Sequence, residues 1–164
     1  MNQKLSTIAK QEAQKCYHGF VMGTKPNIDE IISLFPKWEI EKWDNHWCAA
    51  FVYFCCTKAG INLPVRYTDE RVPSNFAGCS AWEEWAKLPY INLWHDSNEP
   101  QFFPEDGDIV LYDRVYENAE HDHIGIVIET RNTSIVAAEG NFNNVSALVE
   151  RNLDEHIRGF IRIE

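Results

Sequence analysis

The run His46-Trp47-Cys48-Ala49-Ala50-Phe51-Val52-Tyr53-Phe54-Cys55-Cys56, closed by Gly60, constrains the fold more than any other part of the chain. Its residue types predict a helix over 46–59. Apolar side chains occupy nearly the whole circumference, and a helix that is apolar all round is buried all round. The rest of the chain must therefore wrap this helix. With 164 residues, 45% of them apolar, and six Trp, nine Phe and six Tyr, there is material for one such core and too little for two. No repeat, low-complexity tract or domain-separating linker interrupts the sequence. A single domain over 1–164 is expected, with 1–42 as an N-terminal helical segment.

The segments on either side differ in character. Residues 5–17 carry helical spacing (Leu5, Ile8, Ala9, Ala13, Cys16), with a stop at Gly19. A short helix over 27–35 is predicted, with Asn27 as its cap and Pro36 beyond it. The stretch Pro64 to Pro104 reads as loop with one short helix, 80–86, in which Ser80 and Glu83 have capping-box spacing. Short β-type runs follow at 108–112, 123–128, 134–138, 147–149 and 157–162, with Asn132-Thr133 and Asn143-Asn144 as hairpin connections. Helices first and consecutive strands afterwards define an α+β fold, with N-terminal helices packed on a C-terminal antiparallel sheet.

Charge and composition exclude several functions. The net charge is −10 and the pI near 5.0. No basic stripe is present, so nucleic acid is not the partner. The acidity also disfavours tight docking on anionic membranes or polyanionic wall polymers, while a neutral or cationic substrate group is tolerated. No run is long enough to span a bilayer, and the N-terminal residues lack a signal core. The chain is expected in the cytoplasm as synthesised, acting at a cell wall only after release or non-standard export. Cys16, Cys48, Cys55, Cys56 and Cys79 form no C-x-x-C pair, which argues against a zinc site or a disulfide framework. Cys16, Cys55, Cys56 and Cys79 read as small apolar filler.

Cys48 reads differently. It falls in the first turn of the buried helix, just after the polar residues Asp44 and Asn45. Backbone N–H groups and the helix dipole favour thiolate over thiol there. A thiol hydrolase also needs an imidazole in reach of the sulfur and a group holding the far imidazole nitrogen. His123 begins one strand, and Glu139 ends the next, within a hairpin's reach. Asn141 is the alternative orienter, two residues on and on the same face if the strand persists. A carboxylate stabilises imidazolium better than an amide, which favours Glu139 and leaves Asn141 as a secondary polar contact. Trp47 and His46, adjoining the nucleophile, are the substrate-binding candidates; Trp43, Trp82, Trp85 and Trp94 are assigned chiefly to the core. His121 and His123 could share a strand face and invite a metal that Glu139 could join, but no cysteine pair or second His-rich site completes a shell, so neither metal nor cofactor is expected. Asp108 reads as a turn-stabilising residue.

These motifs together resemble the CHAP family, cysteine- and histidine-dependent amidohydrolases/peptidases of the papain-like superfamily. Trp47-Cys48-Ala49-Ala50-Phe51-Val52 resembles the family's nucleophile helix. Pro104 with Gly107-Asp108-Ile109-Val110 is similar to its proline-glycine-aspartate strand start, here with Glu105 and Asp106 inserted. Asp122-His123-Ile124-Gly125-Ile126-Val127 resembles its histidine strand, and Glu139-Gly140-Asn141 its closing motif. The resemblance runs from about residue 43 to 163. It implies cleavage of amide bonds in peptidoglycan, as an N-acetylmuramoyl-L-alanine amidase or a peptide endopeptidase. By position it implies Cys48 as nucleophile, His123 as base and Glu139 as orienter, with Asn141 beside them, and no cofactor. A larger lysis or secretion assembly would carry the chain to the wall. Two other readings stand beside this one: a thiol amidase or transferase acting on a small cytoplasmic amide, and a non-catalytic peptide-binding module of the same fold.

Overall fold

A computed structural model describes residues 2–36 and 46–164. Trp43, Asp44 and Asn45, named above, lie outside them. The order is α1 (Gln3–Ala13), α2 (Asp29–Ile32), α3 (Cys48–Ala59), α4 (Cys79–Ala86), β1 (Trp94–Asp96), β2 (Ile109–Tyr112), β3 (His123–Thr130), β4 (Ser134–Phe142), β5 (Val145–Asn152) and β6 (Ile157–Ile161). The strands form one antiparallel sheet in the order β1-β6-β2-β3-β4-β5. This is the expected α+β arrangement.

Helix α3 is the hub. Every residue from Cys48 to Cys56 is buried, as an all-round apolar surface requires. It ends at Gly60, whose φ of 84° permits a left-handed cap, with the Ile61 N–H bonded back to the Cys56 carbonyl. Alternation along the strands sorts the side chains to two faces. Ile124, Ile126 and Ile128 of β3, with Ile109 and Leu111 of β2, join α1 and α3 in the main core. Val110, Tyr112, Val127, Ile135, Ala137, Ile157 and Phe160 form a second cluster on the opposite face. Helix and sheet approach closely at Gly140 of β4, where a Cβ would lie 2.4 Å from the Phe51 side chain and 2.9 Å from the Trp47 ring. Any side chain there would push the start of α3 off the sheet.

Several local expectations are corrected. Helix α1 starts at Gln3, capped by Asn2 through the Leu5 N–H, and ends at Ala13 rather than 17. It stops because Cys16 turns left-handed (φ 56°) and Tyr17 pairs with Ser146 of β5, through both its N–H and its carbonyl. Helix α2 is one turn, and the predicted cap Asn27 instead accepts the His18 N–H. Helix α4 starts at Cys79 after Gly78, so Ser80 is not its cap. Glu83 is drawn away from the helix end by Arg158, Lys87 and His121. Strand β1 lies inside the segment read as loop, as a three-residue edge strand on β6.

The hairpin turns agree with expectation. Asn143 and Asn144 both have positive φ, 47° and 66°, the conformation that a two-residue turn with matching twist demands and that Asn tolerates.

Candidate active site

The start of α3 meets the start of β3 at the rim of the sheet. Cys48 is the first residue of α3, so its N–H has no intrahelical acceptor and the Ala49 N–H points at its sulfur. His123 is the first residue of β3, and its ring lines the same cleft as Cys48, close enough for the two to interact electrostatically. Its Nε2 lies 2.9 Å from Glu139 Oε2. Both partners of that bond are buried, His123 at 1% and Glu139 at 0% exposure. Gly125 stands between them on the sheet face; a Cβ there would come within 3.0 Å of Glu139 Cγ, so glycine gives the carboxylate room to lean toward the imidazole.

Behind the carboxylate stands Arg151 of β5. Its Nε and one terminal nitrogen donate to the two Glu139 oxygens at 2.9 and 2.7 Å, a bidentate pairing. The same guanidinium lies over the Tyr112 and Tyr116 rings and donates to the Tyr116 hydroxyl at 3.2 Å. Those two rings also contact the imidazole. Tyr112 stacks on it at 5.8 Å between centroids, and Tyr116 meets it edge-on at 5.0 Å. Asp122 holds the loop that carries Tyr116, accepting the N–H groups of Val115, Tyr116 and Glu117. An open cleft of about 220 Å³ lies in front, lined by Cys48, His123, His46, Tyr116, Glu117, Asp122, Asn141, Asn143 and Asn144.

Electrostatics favour the charged pair. For His123, burial lowers the imidazole pKa, but hydrogen bonds to Cys48 and Glu139 outweigh it and carry it up to about 9. Cys48 is held well below the ordinary thiol value, first by a hydrogen bond from Cys79 and then, against burial, by His123 and the Ala49 N–H. Burial pushes Glu139 up, and Arg151 and His123 more than reverse it, leaving an ionised carboxylate. These shifts favour the charged forms of all four groups, thiolate, imidazolium, carboxylate and guanidinium in a row.

The structure brings Cys48, His123 and Glu139 together and puts Asn141 at the cleft without a bond to the imidazole. The pairing of β4 with β5 shifts register between Glu139 and Phe142, and Asn141 takes a positive φ of 59°. Strand alternation therefore does not carry from 139 to 141. Trp47 is corrected as a substrate-binding candidate: its side chain is fully buried, edge-on to Phe51, with its Nε1 bonded to Asn144 Oδ1. His46 is exposed and lines the cleft. His121 turns away at a positive φ of 53° to pair with Glu83, so it does not share a face with His123. Among the described residues, no three His, Cys, Asp or Glu side chains group as a metal site. Asp108 braces the start of β2 against Arg162.

Three participants escaped the sequence reading. Arg151 and Tyr116 come from segments with no motif. Cys79, assigned to the core, has its sulfur 3.7 Å from that of Cys48. No local pattern announces contacts made only in three dimensions.

A cysteine at a buried helix start, facing a histidine on an antiparallel sheet, is the architecture of papain-like thiol hydrolases. The CHAP domain model matches residues 40–141, more than half of the chain, and the chain belongs to the CHAP domain family. Strands β5 and β6 complete the sheet beyond the matched range. No curated protein and no solved structure matches. CHAP domains are in general amidases or peptidases directed at peptidoglycan, which makes amide hydrolysis the chemistry expected of this site.

Proposed function

We propose that the chain cleaves an amide bond of peptidoglycan through a thioester on Cys48, either between muramic acid and L-alanine or within the peptide. The observation that carries the reading is the buried His123–Glu139 hydrogen bond beside a thiol at a helix start. With Nε2 taken by Glu139, Nδ1 is the ring nitrogen left to serve the sulfur.

The Cys48 thiolate attacks the amide carbonyl carbon, and the oxygen takes the negative charge opposite the Cys48 backbone N–H. As the C–N bond breaks, His123 passes its proton to the leaving amine. The neutral imidazole then takes a proton from water, the hydroxide adds to the thioester, and the thiolate departs as the acid product forms. Glu139 keeps the imidazole oriented and stabilises its cationic form, and Arg151 keeps Glu139 ionised. Asn141 and His46, at the cleft wall, contact substrate. The chain acts at the wall after release through a lysis or secretion assembly.

Dye release from purified sacculi tests the reading. Wild-type protein releases dye, and folded Cys48→Ala and His123→Ala proteins do not. Mass spectrometry of the products identifies the bond. Turnover by folded Cys48→Ala protein would contradict the mechanism. The net charge of −10 favours a second substrate, a small uncharged or cationic amide; intact sacculi together with hydrolysis of isolated muropeptides or small amides would select it.

A further inference from the structure

The geometry points to Cys79 as a positioning residue for the nucleophile: its thiol donates to the Cys48 sulfur and, with His123, holds the thiolate for attack. The inference rests on the reading of Cys48 as the nucleophile. The two sulfurs are 3.7 Å apart, within sulfur hydrogen-bond range, and neither cysteine is in a disulfide. Two helix starts converge here, since Cys48 begins α3 and Cys79 begins α4.

One thiol of such a pair ionises and the other stays protonated, because a first negative charge this close disfavours a second. Cys48 is the one that ionises, since it alone has the imidazole and the Ala49 N–H. Cys79 is pushed well above the ordinary thiol value, by Cys48 first and then by burial, with Asp122 adding to the effect. Cys79 therefore keeps its proton and can donate it.

Helix α4 is fixed in place for this role. Its buried Glu83 is bound by Arg158 of β6 and by His121 of the loop that leads into His123. The same network thus anchors the donor thiol and the approach to the imidazole. The groups that bear on the Cys48 sulfur are His123 from β3, Cys79 from α4, and Tyr116 from the loop; Glu139 acts through the imidazole, and His46, Glu117 and Asp122 line the same cleft. Among the described residues, His123 and Cys79 are the side chains that act on it as donors. Two donors fix the direction of the remaining sulfur lone pairs, whereas one leaves the thiolate free to pivot.

The test is the pH dependence of Cys48 alkylation by iodoacetamide, followed by peptide mass mapping, in wild-type, Cys79→Ala and Cys79→Ser proteins shown to be folded by circular dichroism. Cys79→Ala should move the acid limb of Cys48 alkylation up by about one pH unit, a roughly tenfold loss of thiolate below the limb. Cys79→Ser, whose hydroxyl still donates, should leave the limb near its wild-type position. An unmoved limb in Cys79→Ala overturns the inference, and so does an equal shift in both variants, which would mean lost packing. If Cys79→Ala does not fold, the serine variant decides alone, and a limb raised by a full unit overturns the inference. Alkylation needs no substrate. Failure to hydrolyse sacculi would therefore count against the proposed function and leave the Cys79 result standing.

Discussion

Helix α3 carries three buried cysteines, and they are chemically unlike. Cys55 and Cys56 lie about two turns along from Cys48. Burial pushes both of them above the ordinary thiol value, with Cys56 and Glu12 adding to the effect at Cys55. Cys48 goes the other way. Residue type and helix are shared, and all three are buried. What differs is the company: Cys48 has Cys79, His123 and a free helix N–H, while the others sit among apolar side chains in the core. A cysteine on this helix becomes a reagent by position, and burial alone makes it inert.

The sharpest way to break the contrast is substitution along the helix. Cys48→Ala should lower turnover by about 10⁴-fold or more, the scale seen when a covalent nucleophile is removed. Cys55→Ala and Cys56→Ala should keep kcat/KM within about twofold and cost roughly 1 kcal/mol of stability through lost packing, read by chemical denaturation. Equal losses at all three positions would mean that the helix has no privileged end.

Next in size is the support behind the imidazole. Glu139→Gln should reduce kcat by about 100-fold or more, because the amide cannot stabilise imidazolium. It should also destabilise the fold by about 3 kcal/mol, since the Arg151 charge loses its partner in a largely buried site. Asn141→Ala, which removes no bond to the ring, should cost less than about tenfold by the same steady-state assay. The reverse ranking would make Asn141 the orienter.

The pH profile comes third. The thiolate–imidazolium pair exists between the lowered Cys48 value and about 9, where His123 loses its proton. Activity should therefore hold a plateau with an acid limb below the ordinary thiol range and an alkaline limb near 9. Stability behaves differently. The raised His123 pKa contributes stability fully below 6.5 and loses it as pH rises to about 9. The lowered Cys48 pKa contributes stability that grows as pH rises toward the ordinary thiol value of 9. The two offset, so Tm should change little over that interval while activity falls at its upper end. On the acid side, the lowered Glu139 pKa contributes stability present above 4.5 that is lost as pH falls through its folded value, which a Tm series at low pH would register.

The smallest effect is expected at the ring that meets the imidazole edge-on. Tyr116→Phe removes only the hydroxyl that accepts from Arg151, and should change kcat by no more than about threefold, whereas Tyr116→Ala, which uncovers the imidazole, should do more.

Much of this was legible in the chain because its signals are local. The all-round apolar run of α3, the β-type runs and the Asn143-Asn144 turn each follow from neighbouring residues. Cys48, His123 and Glu139 stood out because a helix start and two hairpin strands order them along the sequence. The unread parts are non-local. Strand β1 has three residues and no pattern of its own, and it forms because β6 offers an edge. Glu83 looked like half of a capping box but is held by Arg158 from the far end of the chain. Trp47 looked available to substrate because it adjoins Cys48, yet at a helix start a neighbour in sequence can point into the core. Asn141 was placed by alternation, which a register shift in β4 interrupts. Arg151, Tyr116 and Cys79 reach the site only through tertiary packing.

The central claim is that position makes Cys48 the reactive thiol of this chain. It is tested most directly by exposing the folded wild-type protein to limiting iodoacetamide across a pH series and mapping which cysteines carry the label. At pH 7, Cys48 should react first, ahead even of the exposed Cys16, at a rate that stays flat up to the alkaline limb; Cys55 and Cys56 should remain unlabelled. If Cys48 reacts no faster than Cys16, or if its rate climbs with pH toward 9 as an ordinary thiol's does, the account is contradicted.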